Sequence, residues 1–353
     1  MIEKKLKINK YTLTNRVVVG PMCQYSGLNG NPSNWHYQHL GRLSLSGAGM
    51  LILESTAISK EGMITSKDLR LESDNNKKEF KKILKFIRSI SNIPIGIQLS
   101  HSGRKGSSEV PWIKSNMPLH GKHAWKTYSP SPIAKDNNWP KPIELTVPRI
   151  NKIKEQFIRS AKIAKDLNFD CLEIHMAHGY LLHQFLSPIS NKRKDLYGGD
   201  LVGRSKFILE VASLIRKIWP ASRILGARIT GSDHLKDGIN IKDSIYLSKR
   251  LEKIGFNYIC VSSGGIQTKT NLNNKIKGYN IHLTKKIKKK VKMLVTSCGN
   301  LNDINFADNL IKSKKIDFVT IARNFVKNNN YLFQNKKFKR KIKIPNQYLR
   351  CIY

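Results

Sequence analysis

The sequence predicts a single-domain (β/α)8 barrel with an insertion after the third strand and a C-terminal tail. Three observations carry that expectation. Eight short β-rich apolar runs recur along the 353 residues. Amphipathic stretches of helical period separate most of them, and polar residues and glycines gather where the runs end. Near-continuous apolar runs suit parallel strands buried on both faces. Strand–helix alternation repeated eight times suits a closed barrel better than an open doubly wound sheet. No G-x-G-x-x-G follows an early strand, which weakens the dinucleotide-fold alternative, and no 20–50-residue repeat marks a solenoid.

The runs are, in order, 17–22 VVVGPM, 50–56 MLILEST, 95–100 IGIQLS, 170–175 DCLEIH, 223–229 RILGARI, 257–262 NYICVS, 292–297 KMLVTS and 316–321 IDFVTI. Helical periodicity covers Phe80–Ile90, Ile150–Asp166, Arg204–Ile218 and Asp243–Lys253. Residues 106–148 break the rhythm with seven of the thirteen prolines and three of the five tryptophans. That proline density excludes a long helix or a central strand. The stretch reads as an ordered insertion over the barrel mouth with a short hairpin, in which Trp112, Trp125 and Trp139 seek burial.

Composition limits the function classes. Hydrophobic content of 40% supports a sizeable core. No run approaches the eighteen or so apolar residues of a membrane span, and the basic start MIEKKLKINK lacks the apolar segment of a secretory signal. Cys23, Cys171, Cys260, Cys298 and Cys351 are scattered without a C-x-x-C pair, as expected of a reduced, cytoplasmic protein with no structural metal. The net charge of +39 raises nucleic-acid binding. Lysine is spread over every kind of segment, however, and the densest runs, TKKIKKKVK and the tail over 336–353, are not interleaved with aromatics for stacking. The charge therefore reads as composition, with no nucleic-acid or membrane partner.

In a barrel, catalytic residues sit just past the carboxyl ends of strands. Those positions hold Gly20, Pro21, Met22, Cys23 and Tyr25, then Ser55, Gln98, and the stretch IHMAHGYL with His175, His178 and Tyr180. Arg228, the SSGG at 262–265, Gly299, Ala322 and Arg323 follow. An arginine inside an apolar strand needs an electron-rich partner. Gly299 and Arg323 follow strands seven and eight, where barrels commonly hold a phosphate. A phosphorylated ligand is implied. A metal on His175 and His178 would need a third ligand, with Glu173 the nearest carboxylate in sequence.

Together NRVVVGPMCQYS, IQLSHSGRK, EIHMAHGYLLHQFLSPISNKRKDLYGG, Arg228, SSGG and DFVTIARNF resemble the Old Yellow Enzyme family of FMN-dependent ene reductases, in particular its bacterial NADPH dehydrogenases and xenobiotic reductases. The resemblance runs from about Asn15 to the C-terminus. It implies FMN as cofactor and NADPH or NADH as reductant. Gly20, Pro21, Met22, Cys23 and Ser55 would back the flavin ring, Gln98 would pair with its pyrimidine edge and Arg228 would face N1 and O2. Gly299, Ala322 and Arg323 would take the phosphate. His175 and His178 would bind the carbonyl of an α,β-unsaturated substrate beside Tyr25, and Tyr180 would protonate it. Arg350, in the tail PNQYLRCIY, would reach a neighbouring subunit's site, implying a homodimer or homotetramer. Departures are Ala322 where the family has glycine, and no iron–sulfur segment within these residues. A dihydrouridine-synthase-like tRNA reductase is the alternative, but its Asn-Gly-Cys-Pro loop does not occur here.

Overall fold

The computed structural model describes residues 1–338, 341–342 and 344–351. Eight strands close a barrel: β1 Val17–Val19, β2 Met50–Ala57, β3 Ile95–Ser100, β4 Cys171–Met176, β5 Ile224–Thr230, β6 Tyr258–Ser262, β7 Leu294–Ser297 and β8 Phe318–Ile321. Each pairs in parallel with the next, and β8 returns to β1. This is the (β/α)8 barrel expected from the sequence.

Strand residues alternate between two cores, as the period of two requires. Val17, Val19, Leu51 and Leu53 face the surrounding helices, whereas Val18, Met50, Ile52, Cys171, Ile224, Tyr258 and Phe318 fill the barrel interior. The outer ring contains α1 Asn34–Ser44, α2 Asp74–Ile90, α3 Val147–Asp166, α4 Leu201–Ile218, α5 Ile241–Ile254, α6 Ile281–Lys288, α7 Ile304–Lys312 and the short α8 Arg323–Lys327. Helices α2 to α5 start earlier than their apolar periodicity implied. Their first turns are opened by Ser73, Thr146, Asp200 and Asn240, whose side chains accept backbone N–H groups.

One element was not expected. Leu6–Ile8 and Tyr11–Leu13 form an antiparallel hairpin about Asn9 and Lys10. Leu6, Ile8 and Leu13 join the interior cluster at the strand starts, so the hairpin plugs the bottom of the barrel. The Asn9 amide fixes it by donating to Ala221 O, Arg223 O and Asn257 Oδ1 at 3.0–3.1 Å. With the bottom plugged, ligands have the other end.

The insertion after β3 departs from expectation in two ways. Tyr128–Ser129 pairs with Ile143–Glu144 in parallel, not as a hairpin, because the chain between them crosses back before returning. Trp139 is buried with the Lys135 ammonium 4.3 Å from its ring centroid, and Trp125 is half-buried, but Trp112 is 65% exposed. Its four-residue helix, Pro111–Lys114, sets the indole edge-on to Tyr25, 6.2 Å between centroids. Arg104 donates to Ile133 O and Ala134 O, and Arg193 to Pro130 O and Leu145 O, which ties the insertion to the segments after β3 and β4.

The lysine-rich stretch 284–292 is the end of α6 and its exit: Leu283, Thr284 and Ile287 are buried and most of the lysines face solvent. Cations at a helix C-terminus are favourable there. Of the tail expected over 336–353, residues 339, 340, 343, 352 and 353 lie outside the described ones. No described helix is long and apolar enough to cross a membrane.

Candidate active site

After β4 the chain makes a turn that only a fitted backbone allows. His178 has φ +57° and Gly179 φ +71°, and Tyr180 caps the short helix Leu181–Leu186. A buried dyad pins the turn. Gly179 N donates to His183 Nδ1 at 2.7 Å, and His183 Nε2 meets Asp233 Oδ1 at 2.9 Å. Asp233 also accepts from Ser187 Oγ and Ile239 N. Burial opposes its charge, but His183 and these donors outweigh it and hold the Asp233 carboxyl below the usual carboxylate range.

The turn brings His175, His178 and Tyr180 together. Ring centroids are 5.0 Å apart for the two imidazoles and 4.7 Å for His175 and Tyr180. Ala177 N donates to His175 Nδ1, so the neutral ring carries its proton on Nε2 and gives it to His178 Nδ1 at 3.2 Å. His178 then bears its proton on Nε2 and donates to Ser262 Oγ at 2.5 Å. Both N–H groups thus have protein partners, and an incoming carbonyl must compete with Ser262 for the outer one. Burial, reinforced by Arg228, holds both imidazoles well below the ordinary histidine value.

The β1 exit forms the adjacent wall. Met22, Cys23, Gln24 and Tyr25 are half-buried, and Tyr25 has φ +48°. A bulge at Glu54, between Leu53 and Ser55 of β2, turns that carboxylate toward the wall. Glu54 Oε2 accepts from Gln24 N at 2.9 Å and Oε1 lies 3.2 Å from His36 Nε2. The Cys23 thiol lies beside the Ser55 amide and the Tyr25 hydroxyl; burial, then Asp68 and Glu54, push it up, which keeps it a thiol. Burial likewise raises the Tyr25 and Tyr180 phenols.

Opposite lies Arg228, half-buried at the mouth. Its Nη2 donates to Cys298 Sγ at 3.1 Å, while its buried Nε has no partner among the described residues. Gln98 gives its amide nitrogen to Glu173 at 2.7 Å, which leaves its carbonyl oxygen for a ligand. Beyond Arg228, Arg323 opens α8, and Gly299 has φ +116° in the loop after β7. The ring of Tyr279 covers Gly299 so closely that a Cβ there would lie 2.8 Å from its Cζ. An unsatisfied cation, an acceptor and an outer arginine in one mouth fit a planar, electron-rich ligand with an anionic tail.

Arg350 is not part of this group. It is exposed on the turn Asn346–Cys351, just beyond residues 345–348, which lie against Gly47–Gly49 and Asn92–Pro94 before β2 and β3, at the opposite end of the barrel. Glu173 points into the barrel interior toward Gln98 and Tyr258 rather than toward the imidazoles. Among the described residues no group of three or more His, Cys, Asp or Glu is placed to hold a metal.

Sequence reasoning gave no role to Lys105, Tyr279 or the His183–Asp233 pair, and it placed Ser262 at the mouth without a partner. Lys105 Nζ donates to His178 O at 2.7 Å and lies 4.9 Å from the centroid of the Tyr180 ring. Burial, then Lys135 and Arg104, pull its pKa down to about 7. The imidazoles are neutral and the phenols protonated across roughly pH 6 to 8, so the groups near the site that titrate there are Lys105 and Asp68, whose carboxyl burial pushes up to about 7. The kcat/KM profile is expected to bend near pH 7 in the native protein and to lose the Lys105 part of that bend in Lys105→Met.

The chain matches the NADH:flavin oxidoreductase / NADH oxidase family over residues 4–341. It is 32% identical over 349 residues to the NADPH dehydrogenase of Clostridium acetobutylicum, covering 98% of this chain and 97% of that one. Two solved structures share the fold. Morphinone reductase in complex with tetrahydroNAD gives a TM-score of 0.79 at 21% identity, covering 98% of this chain and 92% of that chain. A 2-naphthoyl-CoA reductase complex gives 0.84 at 20% identity over 93% of this chain, which spans 51% of that larger protein. The barrel, the strand-end constellation and these similarities converge, and the chain belongs to the NADH:flavin oxidoreductase / NADH oxidase family, the Old Yellow Enzyme family, as an oxidoreductase.

Proposed function

We propose that the protein is an ene reductase, taking hydride from NADPH or NADH and delivering it to the β-carbon of α,β-unsaturated carbonyl compounds. The observation that carries this reading is the convergence of His175, His178 and Tyr180 beside Arg228 and Gln98 at one mouth. When bound, FMN supplies the centre that accepts and releases the hydride. Gln98 and Arg228 would hold its pyrimidine edge. Gly20, Pro21, Met22, Cys23 and Ser55 would back its ring, and Arg323, Ala322 and the Gly299 turn would hold its phosphate, with Tyr279 shifting off Gly299.

The chain's own residues supply the polar chemistry. Hydride arriving at the β-carbon drives negative charge onto the carbonyl oxygen. His178 Nε2–H, exchanged from Ser262, stabilises that oxygen more strongly than the neutral carbonyl, which lowers the barrier, and His175 Nε2–H, given to His178 Nδ1, holds the ring in the tautomer that can donate. Because both rings stay neutral, they act as hydrogen-bond donors and not as acids. Tyr180, kept protonated by burial, gives its proton to the α-carbon. Tyr25 and Trp112 form the outer wall of the substrate pocket.

Arg350, remote from its own mouth, would serve the site of a neighbouring subunit in a homodimer or homotetramer. The test of the main reading is steady-state NADPH oxidation with 2-cyclohexenone as acceptor. One cyclohexanone per NADPH consumed is expected. NADPH consumption matched only by oxygen uptake, with the enone unchanged, would overturn the assignment.

A further inference from the structure

Glu173 lies on β4 two residues before His175 and is 1% exposed. Its Oε1 accepts from Gln98 Nε2 at 2.7 Å and its Oε2 from Tyr258 OH at 2.8 Å. Both neighbours come as donors, which suits an ionised carboxylate, a group that only accepts. Burial raises the Glu173 carboxyl above its ordinary value, while Arg228 and these two hydrogen bonds oppose the rise.

A glutamine amide has a donating end and an accepting end, and either could face a ligand. Beside an ionised Glu173, only the nitrogen of Gln98 can turn inward. The carbonyl oxygen must then face the mouth. We propose that Glu173 is a positioning residue that fixes the hydrogen-bond polarity of the flavin edge, so that Gln98 presents an acceptor next to the Arg228 donor. The imide edge of an isoalloxazine carries an N–H between two carbonyls. It therefore asks for an acceptor flanked by a donor, the pattern that Gln98 Oε1 and the Arg228 guanidinium make. Glu173 also offsets the charge of Arg228, whose other close neighbours are the sulfurs of Cys298 and Cys260.

This inference rests on the flavin reading, and its test separates the two. FMN dissociation constants are measured by flavin fluorescence quenching for the native protein, Glu173→Gln, Gln98→Leu and the double variant. Glu173→Gln is expected to weaken FMN about tenfold, since a neutral amide at 173 lets Gln98 flip, and to have almost no effect in the Gln98→Leu background. Loss of the buried negative charge leaves the Arg228 charge less compensated where it faces the ring. The midpoint potential should rise accordingly, by about 30 mV if the ratio of affinities for the reduced and oxidised cofactor shifts tenfold.

An equal loss in both backgrounds, or an unchanged potential, would make Glu173 merely structural and overturn the inference. A native protein that does not bind FMN would instead overturn the flavin reading. Should Glu173→Gln not fold, Tyr258→Phe removes only the hydroxyl that steadies the carboxylate. It is expected to weaken FMN about threefold when Gln98 is present and not in the Gln98→Leu background, and an equal loss in both again counts against the proposal.

Discussion

Replacing Gly179 by alanine is expected to destabilise the protein by about 3–5 kcal/mol and to misplace His178. Two effects add. The residue sits at φ +71°, where a side chain costs roughly 1–2 kcal/mol. Its Cβ would also fall 2.0 Å from Gly265 O and 2.9 Å from the Cα of Ile266. Those are backbone atoms of the loop after β6, and that loop cannot retreat easily because Gly265 itself presses on the His178 backbone. Gly199 provides the internal control. It has the same φ of +71°, yet nothing lies within 4 Å of its added Cβ. Gly199→Ala should therefore show the conformational cost alone. Thermal and urea unfolding of the two variants would measure the difference, and equal losses would contradict the close approach of the two loops.

His178→Ala is expected to lower kcat for enone reduction about 100- to 1,000-fold, the usual consequence of removing one preplaced donor from a developing oxyanion. FMN content should be unchanged, because the imidazole contacts His175, Ser262 and the ligand space but none of the residues assigned to the phosphate. An asparagine can still donate an N–H, so His178→Asn should recover part of the loss. The KM for the enone should change less than kcat if the donor acts mainly as charge develops. Full turnover in the alanine variant would remove the imidazole from the mechanism.

The barrel was legible because its strands are buried on both faces, which leaves short unbroken apolar runs that no surface element mimics. Once the barrel was placed, the strand ends pointed to the candidate site, and the structure brings His175, His178 and Tyr180 together there. The bottom hairpin was hidden by its lysines: Lys5, Lys7 and Lys10 make the segment read only as a basic start, although Leu6, Ile8 and Leu13 alternate inward. Trp112 was expected inside, yet its helix is four residues long and its indole meets the Tyr25 ring only edge-on, which leaves it 65% exposed. The pairs His183–Asp233 and His36–Glu54 were unreadable, since each joins side chains whose meeting depends on loop geometry and, for Glu54, on a bulge. Likewise the tautomers of His175 and His178 follow from Ala177 N and Ser262, which no spacing encodes.

The central claim is that a flavin lies across the mouth bounded by Gln98, Arg228 and the His175–His178 pair and passes hydride there. The most direct test is the visible spectrum of the purified protein, titrated without oxygen first with NADPH and then with 2-cyclohexenone. A yellow chromophore that bleaches with one equivalent of NADPH and returns with one equivalent of enone is the expected result. A protein that is colourless and stays so after FMN is added, or a bleached chromophore that the enone leaves bleached, would contradict it.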